Sequence, residues 1–394
     1  MWKTVRLGDV CKIVNGSTPL RSNPRYWDTG KILWFTIEDL RKQGRDIYTT
    51  NQKVTYEAVK EASLKVVPIN TVLLCCTASV GEVAIARSKM ATNQQFNALI
   101  PLNDNLVPEY LYYVSTTLKN KLLSLSGRTT INFIPISKLK NIEISLPPLQ
   151  QQKQIVKKLD ATFAEIDKNI ENLKNKKEQV ESLVNRVLEE ELKNTEGENV
   201  KLEDVCLNIT DGSHFSPKTD EEGFPYITVR DINDDEIDFA NCKFISKESY
   251  LELAKNGCSP SEGDVLFSKD GTVGKVAEVK TKKDFAVLSS LAILTPNKNF
   301  VTTELLAYIL KSQSFLKEAI GQKTGAAIRR IILKNLKKIS FKLPSLAHQH
   351  SIVSKLDAVN LEKNTSINVL NSQIDNYIAL KSSILSNSLK GPAL

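Results

Sequence analysis

The stretch LPPLQQQKQIVKKLD runs from Leu146 to Asp160, and LPSLAHQHSIVSKLD runs from Leu343 to Asp357, 197 residues later. Between Leu139 and Asp160, 12 of 22 positions are identical to those from Leu336 to Asp357, so the likeness is wider than the motif itself. It extends backwards through each half. VRLGDVCKIVNGS (Val5 to Ser17) answers to VKLEDVCLNITDGS (Val200 to Ser213) at an offset of 195 to 196. LWFTIEDL (Leu33 to Leu40) answers to PYITVRDI (Pro225 to Ile232) at 192, and VLLCCTASVGEVA (Val72 to Ala84) to VLFSKDGTVGKVA (Val265 to Ala277) at 193. Four blocks in the same order establish a duplication. The 394-residue chain is two copies of one unit, each a variable domain followed by a shared tail. The expected bounds are residues 1–147, 148–198, 199–344 and 345–394.

The tails carry a heptad pattern. With Val156 at position a, the first tail places Val156, Phe163, Ile170, Lys177, Val184 and Glu191 at a, and Leu159, Ile166, Leu173, Val180 and Val187 at d. Every d position is apolar, which marks a coiled-coil seam. The same frame gives the second tail Val353, Asn360, Ile367, Ile374, Lys381 and Ser388 at a, and Leu356, Lys363, Leu370, Tyr377 and Ile384 at d. Each helix starts after its proline, Pro148 or Pro344, because proline disfavours helix across itself. Each tail helix, of about 44 residues at about 1.5 Å per residue, spans roughly 65 Å. Only KNTEGEN separates the first from the second variable domain, so the second tail can return to its twin only antiparallel. Polar Lys177 and Asn360 at a positions either fix register or mark where the coil splays.

The expected fold class is therefore α+β. Two mixed α/β domains are joined by two long helices that form an antiparallel coiled coil with pseudo-two-fold symmetry. Such a design fixes the separation of two binding surfaces. A DNA duplex has a matching local two-fold, with major-groove faces recurring about 34 Å apart.

Charge points the same way once it is split along the chain. The net +8 resides in the first 147 residues, with 19 Lys/Arg against 11 Asp/Glu, while the second domain is nearly balanced. The second domain instead separates acidic DINDDEID (Asp231 to Asp238) from basic RRIILKNLKK (Arg329 to Lys338). Such asymmetry suits a polyanion, although ordinary solvated surface gives the same numbers. No CxxC pair occurs among the six cysteines, so neither a disulfide framework nor a zinc site is indicated. The start of the chain lacks a secretory pattern, and no run of about 18 apolar residues occurs, so a soluble cytoplasmic protein without membrane contact is expected.

Two variable domains of this size, each closed by LPxLxxQxxIVxKLD leading into a long helix, resemble the specificity subunits of type I restriction-modification systems. The resemblance covers essentially the whole chain, including NGSTP (Asn15 to Pro19) and DGSHFSP (Asp211 to Pro217). It implies that each variable domain is a target recognition domain reading one half of a split sequence in double-stranded DNA. It also implies that the tails act as a ruler and dock two modification subunits, which methylate adenine from S-adenosylmethionine. Two ATP-dependent restriction subunits can join that assembly. One departure concerns the Glu-Gln pair usual after LPPL, which stands here as Gln151-Gln152 and His348-Gln349.

The chain itself offers no catalytic group, cofactor site or metal site. The only Pro-Pro, Pro147-Pro148, is a turn before a helix and not the Asn/Asp-Pro-Pro-aromatic loop of an amino-methyltransferase. DGTVGKV (Asp270 to Val276) is too compressed for a P-loop. Asp264 with Glu278 and Lys280 is a loose nuclease-like pattern, and the first repeat does not match it. His348 and His350, two apart, point to different faces of a helix.

Base reading calls for Arg, Asn, Gln and short polar side chains on loops that differ between repeats. In repeat one these are Arg21, Asn23 and Arg25, then Asn93, Gln94 and Gln95, then Arg128, Thr129 and Thr130. In repeat two they are His214 and Lys218, then Lys269, Asp270 and Thr272, then Lys323, Arg329 and Arg330. Two other readings remain open at this point: a two-headed protein-interaction scaffold, and an orphan recognition subunit serving modification alone.

Overall fold

The computed structural model describes residues 2–125, 134–233, 235–321 and 330–390. It divides into two units, Met1–Asn172 with Gln373–Leu394, and Leu173–Ser372. Each unit holds one variable domain and a segment of both tails.

In the first unit the apolar runs form strands covered on both faces: Thr71–Cys75 and Val83–Ala86 are buried at every position. They belong to a five-stranded sheet ordered Cys11–Asn15, Phe96–Pro101, Thr71–Cys75, Val83–Ala86, Asp46–Ile47. A three-stranded sheet follows the order Gln52–Val54, Ile32–Phe35, Met90–Thr92, and its last two strands are parallel. The helix Pro108–Thr117 begins on a proline, where the missing N–H costs nothing. It drives Tyr110, Leu111 and Val114 into a core with Val72, Leu74 and Ile85. Lys3–Arg6 pairs antiparallel with Glu143–Leu146 and closes the domain just before the tail.

The second unit rebuilds this plan from different residues. Its larger sheet runs Cys206–Asp211, Leu291–Pro296, Val265–Ser268, Val276–Glu278. Its three-stranded sheet runs Lys243–Ile245, Phe224–Ile227, Ala286–Val287, again with a parallel pair, and Glu198–Lys201 with Ser340–Leu343 closes it. Even a local cap recurs: Thr36 N donates to Asp39 Oδ2 at 2.8 Å, and Thr228 N to Asp231 Oδ2 at 2.7 Å. The units differ at one sheet edge. Where the first adds Asp46–Ile47 as a fifth strand, the second forms the hairpin Ile232–Asn233 with Glu236–Ile237.

The tails pair antiparallel in each unit. In the first, Leu159, Phe163, Ile166 and Ile170 pack with Tyr377, Ile384, Leu385 and Leu389, and Asp167 meets Lys381 at 2.6 Å. In the second, Lys177 Nζ donates to Asn371 Oδ1 at 3.2 Å, Val184 and Leu188 share a core with Ile352 and Leu356, and Glu191 pairs with Lys355. Lys177 is thus bonded to the opposite helix, and the coil does not splay there.

One expectation is corrected. The first tail is not a single helix of about 44 residues but Leu149–Glu181 and then Leu183–Asn194, whereas the second runs unbroken from Leu346 to Leu389. The cause is local. Ser182 Oγ donates to Gln179 O at 2.8 Å and Arg186 Nη2 to the same carbonyl at 3.2 Å, so side chains occupy an acceptor that the helix ladder uses. A free helix of 12 residues is marginal in water, and this one is held by its packing. Leu188 is fully buried and Val184 is nearly so, each contributing about 2 kcal/mol.

Candidate nucleic-acid interface

Both variable domains launch their polar loops from the same device. The strand Cys11–Asn15 ends at Gly16, where a Cβ would stand 2.1 Å from Asn93 O and from Thr92 Oγ1. The strand Cys206–Asp211 ends at Gly212, where it would stand 2.4 Å from Leu288 O. Only glycine lets the two backbones approach this closely. The close approach is sealed by Ser17 N donating to Thr92 O at 2.9 Å and Ser213 N to Val287 O at 2.8 Å. Residues far apart in sequence are thereby drawn together.

In repeat one the loop after Gly16 meets the loop after Thr92. Thr18 Oγ1 donates to Gln94 Oε1, which is exposed. The Arg21 guanidinium lies 4.0 Å from the Trp27 ring and 4.6 Å from Trp34, and its Nη1 donates to Gln52 Oε1 at 2.5 Å. Trp34 Nε1 in turn donates to Ser17 O at 3.2 Å. The planar cation is therefore fixed in orientation while remaining exposed. Asn23 shapes its own turn, its Oδ1 accepting from Arg25 N at 3.2 Å. Arg25 is paired with Glu57 and lies 3.9 Å from Glu61, which offsets its charge. Asn93 is buried and hydrogen-bonds Gln95 through both backbone and side chain, so it supports the loop from behind.

In repeat two, His214 is exposed with Nε2 3.5 Å from Asp211 Oδ2, and Lys218 and Thr272 are exposed. Asp270 accepts from Gly271 N at 2.8 Å and lies 3.7 Å from Arg330 Nε. Lys269 departs from the expectation of a loop side chain facing solvent. Its side chain is 2% exposed and its ammonium sits 3.3 Å from Asp211 Oδ1, beneath the loop that bears His214. SKDGTVG reads as a polar loop, but Ser268 ends the strand Val265–Ser268 and Lys269 follows it directly, and both are buried. Arg128, Thr129, Thr130, Lys323 and Arg329 lie outside the described residues.

Asp264 turns back on its own loop, its Oδ2 accepting from Ser261 N at 2.7 Å, while Glu278 pairs with Lys280 at 3.7 Å. Among the described residues no group of three or more His, Cys, Asp or Glu side chains converges on a metal position. His348 and His350 are exposed in the first turn of the second tail helix.

Residues 1–182 and 194–376 each match the family model Methylase_S, the type I restriction modification DNA specificity domain. The chain belongs to this family. It is 28% identical over 345 residues to the type I restriction enzyme MjaIX specificity subunit of Methanocaldococcus jannaschii, covering 79% of this chain and 77% of that one. It is 26% identical over 386 residues to the MjaVIII specificity subunit of the same organism, covering 91% and 86%. A solved chain from work on complex assembly and conformational transition of the type I R-M system superposes with a TM-score of 0.73 at 20% identity, covering 100% of this chain and 98% of that one. That last likeness fixes the fold.

Within the specificity family frame, the duplicated glutamine gains a role that the sequence reading left unassigned. Gln152 is fully buried; its Nε2 donates to Asn105 O at 2.8 Å and Pro147 O at 2.9 Å, and its Oε1 accepts from Val107 N at 2.9 Å. Gln349 repeats all three bonds with Phe300 O, Pro344 O and Thr302 N at 2.7, 2.8 and 2.9 Å. A second pair recurs beside it. Tyr113 donates to Asp160, and Tyr308 to Asp357 at 2.7 Å. Burial and the neighbouring carboxylate push both phenols up, so each remains a donor. The signal was present, since Gln152 and Asp160 are identities in the repeat alignment, but the partners are mostly backbone groups that sequence comparison cannot see.

Proposed function

We propose that the two repeats read the two halves of a split target in double-stranded DNA, and that the paired tails hold the readers at a set separation. The contrast inside one chain carries this reading. Strand order, apart from one sheet edge, and the buried bonds of Gln152 and Gln349 are duplicated, while the polar loops that leave Gly16-Ser17 and Gly212-Ser213 differ at every position up to Pro24. A duplicated scaffold with unlike loops suits two similar sites with unlike sequences. The domain bounds proposed are residues 1–147 and 199–344 for the readers and 148–198 and 345–394 for the tails.

Arg21, Gln94, Gln95, His214, Asp270, Thr272 and Arg330 are the proposed base-edge contacts, with Lys218 toward phosphate. Arg on guanine and Gln on adenine are the geometric matches that discriminate bases. Asn23, Asn93 and Lys269 position the loops instead. The relatives, named as specificity subunits of type I restriction enzymes, support partner subunits in such a system; two modification subunits on the tails, joined by two restriction subunits, is the arrangement proposed. Methyl transfer to adenine and ATP-dependent cleavage would then lie in those partners, and this chain would contribute neither catalytic group nor cofactor.

The test is co-expression with the cognate modification subunits and mapping of methylated adenines. One bipartite motif is expected, and exchanging residues 1–147 for another such domain should change one half alone. An unsplit motif, or a change in both halves, overturns the proposal. Binding of the duplex should also fall linearly as log binding constant against log salt, because cations on phosphates release counterions.

A further inference from the structure

Resting on that reading, we infer that Leu20 and Phe215 are apolar readers, one in each repeat, and that the group each meets is the 5-methyl of a thymine. Leu20 is 66% exposed and Phe215 is 72% exposed. A lone exposed apolar side chain is ordinary on any protein surface. Two observations separate this pair from the ordinary case.

The first is that both occupy the loop launched by Gly-Ser, with backbones that are pinned. Trp27 Nε1 donates to Leu20 O at 3.1 Å, and Asn23 N donates to the same carbonyl at 3.2 Å. Tyr226 Oη donates to Phe215 O at 3.3 Å, and Ser213 Oγ donates there at 2.6 Å. Ser213 Oγ also accepts from Phe215 N at 3.1 Å. In each repeat an aromatic side chain uses its polar tip to hold the carbonyl of the apolar residue, which fixes the backbone beneath the exposed side chain. Leu20 and Phe215 are not aligned residues of a shared motif. The two loops reach the same arrangement with different sequences.

The second is the company each keeps. Arg21 follows Leu20 directly; His214 precedes Phe215, and Lys218 lies three residues beyond it. Cations and donors flanking an apolar tip match a groove wall, where phosphates line the rim and the thymine methyl is the apolar feature of the major-groove edge. Burying one methyl group is worth about fourfold in affinity, the equivalent of about 0.8 kcal/mol.

The experiment uses the full chain with its modification subunits and duplexes of the mapped target, in which thymines are replaced one at a time by deoxyuridine, which lacks only the methyl. For the wild type, one thymine in the half read by repeat two should cost about fourfold when replaced. Phe215→Ala should lose that sensitivity, Phe215→Leu should retain it, and the salt dependence should be the same in all three because no phosphate contact is removed. Leu20→Ala should do the same in the other half. Equal deoxyuridine profiles for wild type and Phe215→Ala overturn the inference. So does an affinity loss that follows base stacking instead of the methyl, which would make the ring a wedge. Failure of the wild type to bind any split duplex would instead remove the DNA-reading proposal itself.

Discussion

Beneath the two launching glycines the same cross-strand position is filled in opposite ways. In repeat one, Asn15 stands opposite Asn97 in the ladder, and Cys76, whose amide donates to Gln95 O, lies at the adjoining strand end. In repeat two, Asp211 stands opposite Ala292, and Lys269, whose amide donates to Ser290 O, occupies the place of Cys76. One floor is neutral and the other holds an ion pair with a buried ammonium. The backbone bonds are the same, so the difference concerns side-chain chemistry alone. It teaches that the duplicated scaffold tolerates either solution provided the charges come as a pair, since an unpaired charge there costs far more than the pair yields.

The largest effect should come from breaking that pair. Lys269→Met leaves Asp211 without its cation and should cost about 3 kcal/mol in denaturant unfolding of the full chain. Adding Asp211→Asn should recover most of the loss, because it restores a neutral floor like that of repeat one. If the single substitution is silent, the ammonium is not part of the floor and the comparison fails.

Next are the clasps. Gln152→Ala and Gln349→Ala each remove three hydrogen bonds and strand two carbonyls and one amide, a loss of about 2 kcal/mol or more. The two variants should agree within about 1 kcal/mol, since the bonds correspond one for one. A large inequality in their unfolding midpoints would mean that the repeats share a drawing but not an energetic joint.

The smallest effect is a pair of opposite pH dependences. Burial of Asp46 raises its carboxyl, but the guanidinium groups of Arg45 and Arg87 outweigh this and hold it below the ordinary carboxylate range. Its contribution is therefore present above the unfolded value of about 3.9 and lost as pH falls through the lower folded value. Glu278 in the second domain is pushed up by burial, with Lys280 opposing. Its contribution has the opposite sign: stability falls as pH rises from about 4.3 through the raised folded value. Asp46→Asn should lower the neutral-pH thermal midpoint and flatten the acid limb, whereas Glu278→Gln should raise the midpoint above that window. The same direction in both would erase the distinction between the two sheet edges.

What the sequence made legible was periodic or repeated. The duplication, the seam at Leu159, Phe163, Ile166 and Ile170 and the antiparallel return of the second tail rest on spacing along the chain, and the family likeness rests on the motif that closes each variable domain. What it hid was non-local or exceptional. The parallel pairing of Leu33 with Met90 joins residues 57 apart through backbone bonds that no side-chain pattern announces. Lys269 looked like a surface lysine because its partner Asp211 lies 58 residues earlier. The pause at Ser182 is local but breaks no heptad, since the apolar pattern continues through Val184 and Val187. Of the base-reading candidates, the structure ties the loop of Arg21 to Gln94 through Thr18 and sets Asp270 beside Arg330, and it withdraws Lys269 and Asn93 into supporting positions.

Among the described residues the amides of Gln152 and Gln349 hydrogen-bond only main-chain atoms: the carbonyls of Asn105, Pro147, Phe300 and Pro344, and the N–H groups of Val107 and Thr302. Every amino acid supplies a carbonyl, and all but proline supply the N–H. The fastening thus reads no residue identity in the segments it grips, and those segments are free to drift, lengthen their side chains or change sign without renegotiating the joint. A lineage could replace an entire head and still inherit the socket, which makes a single buried amide the standard fitting on which a diverse set of readers could be mounted.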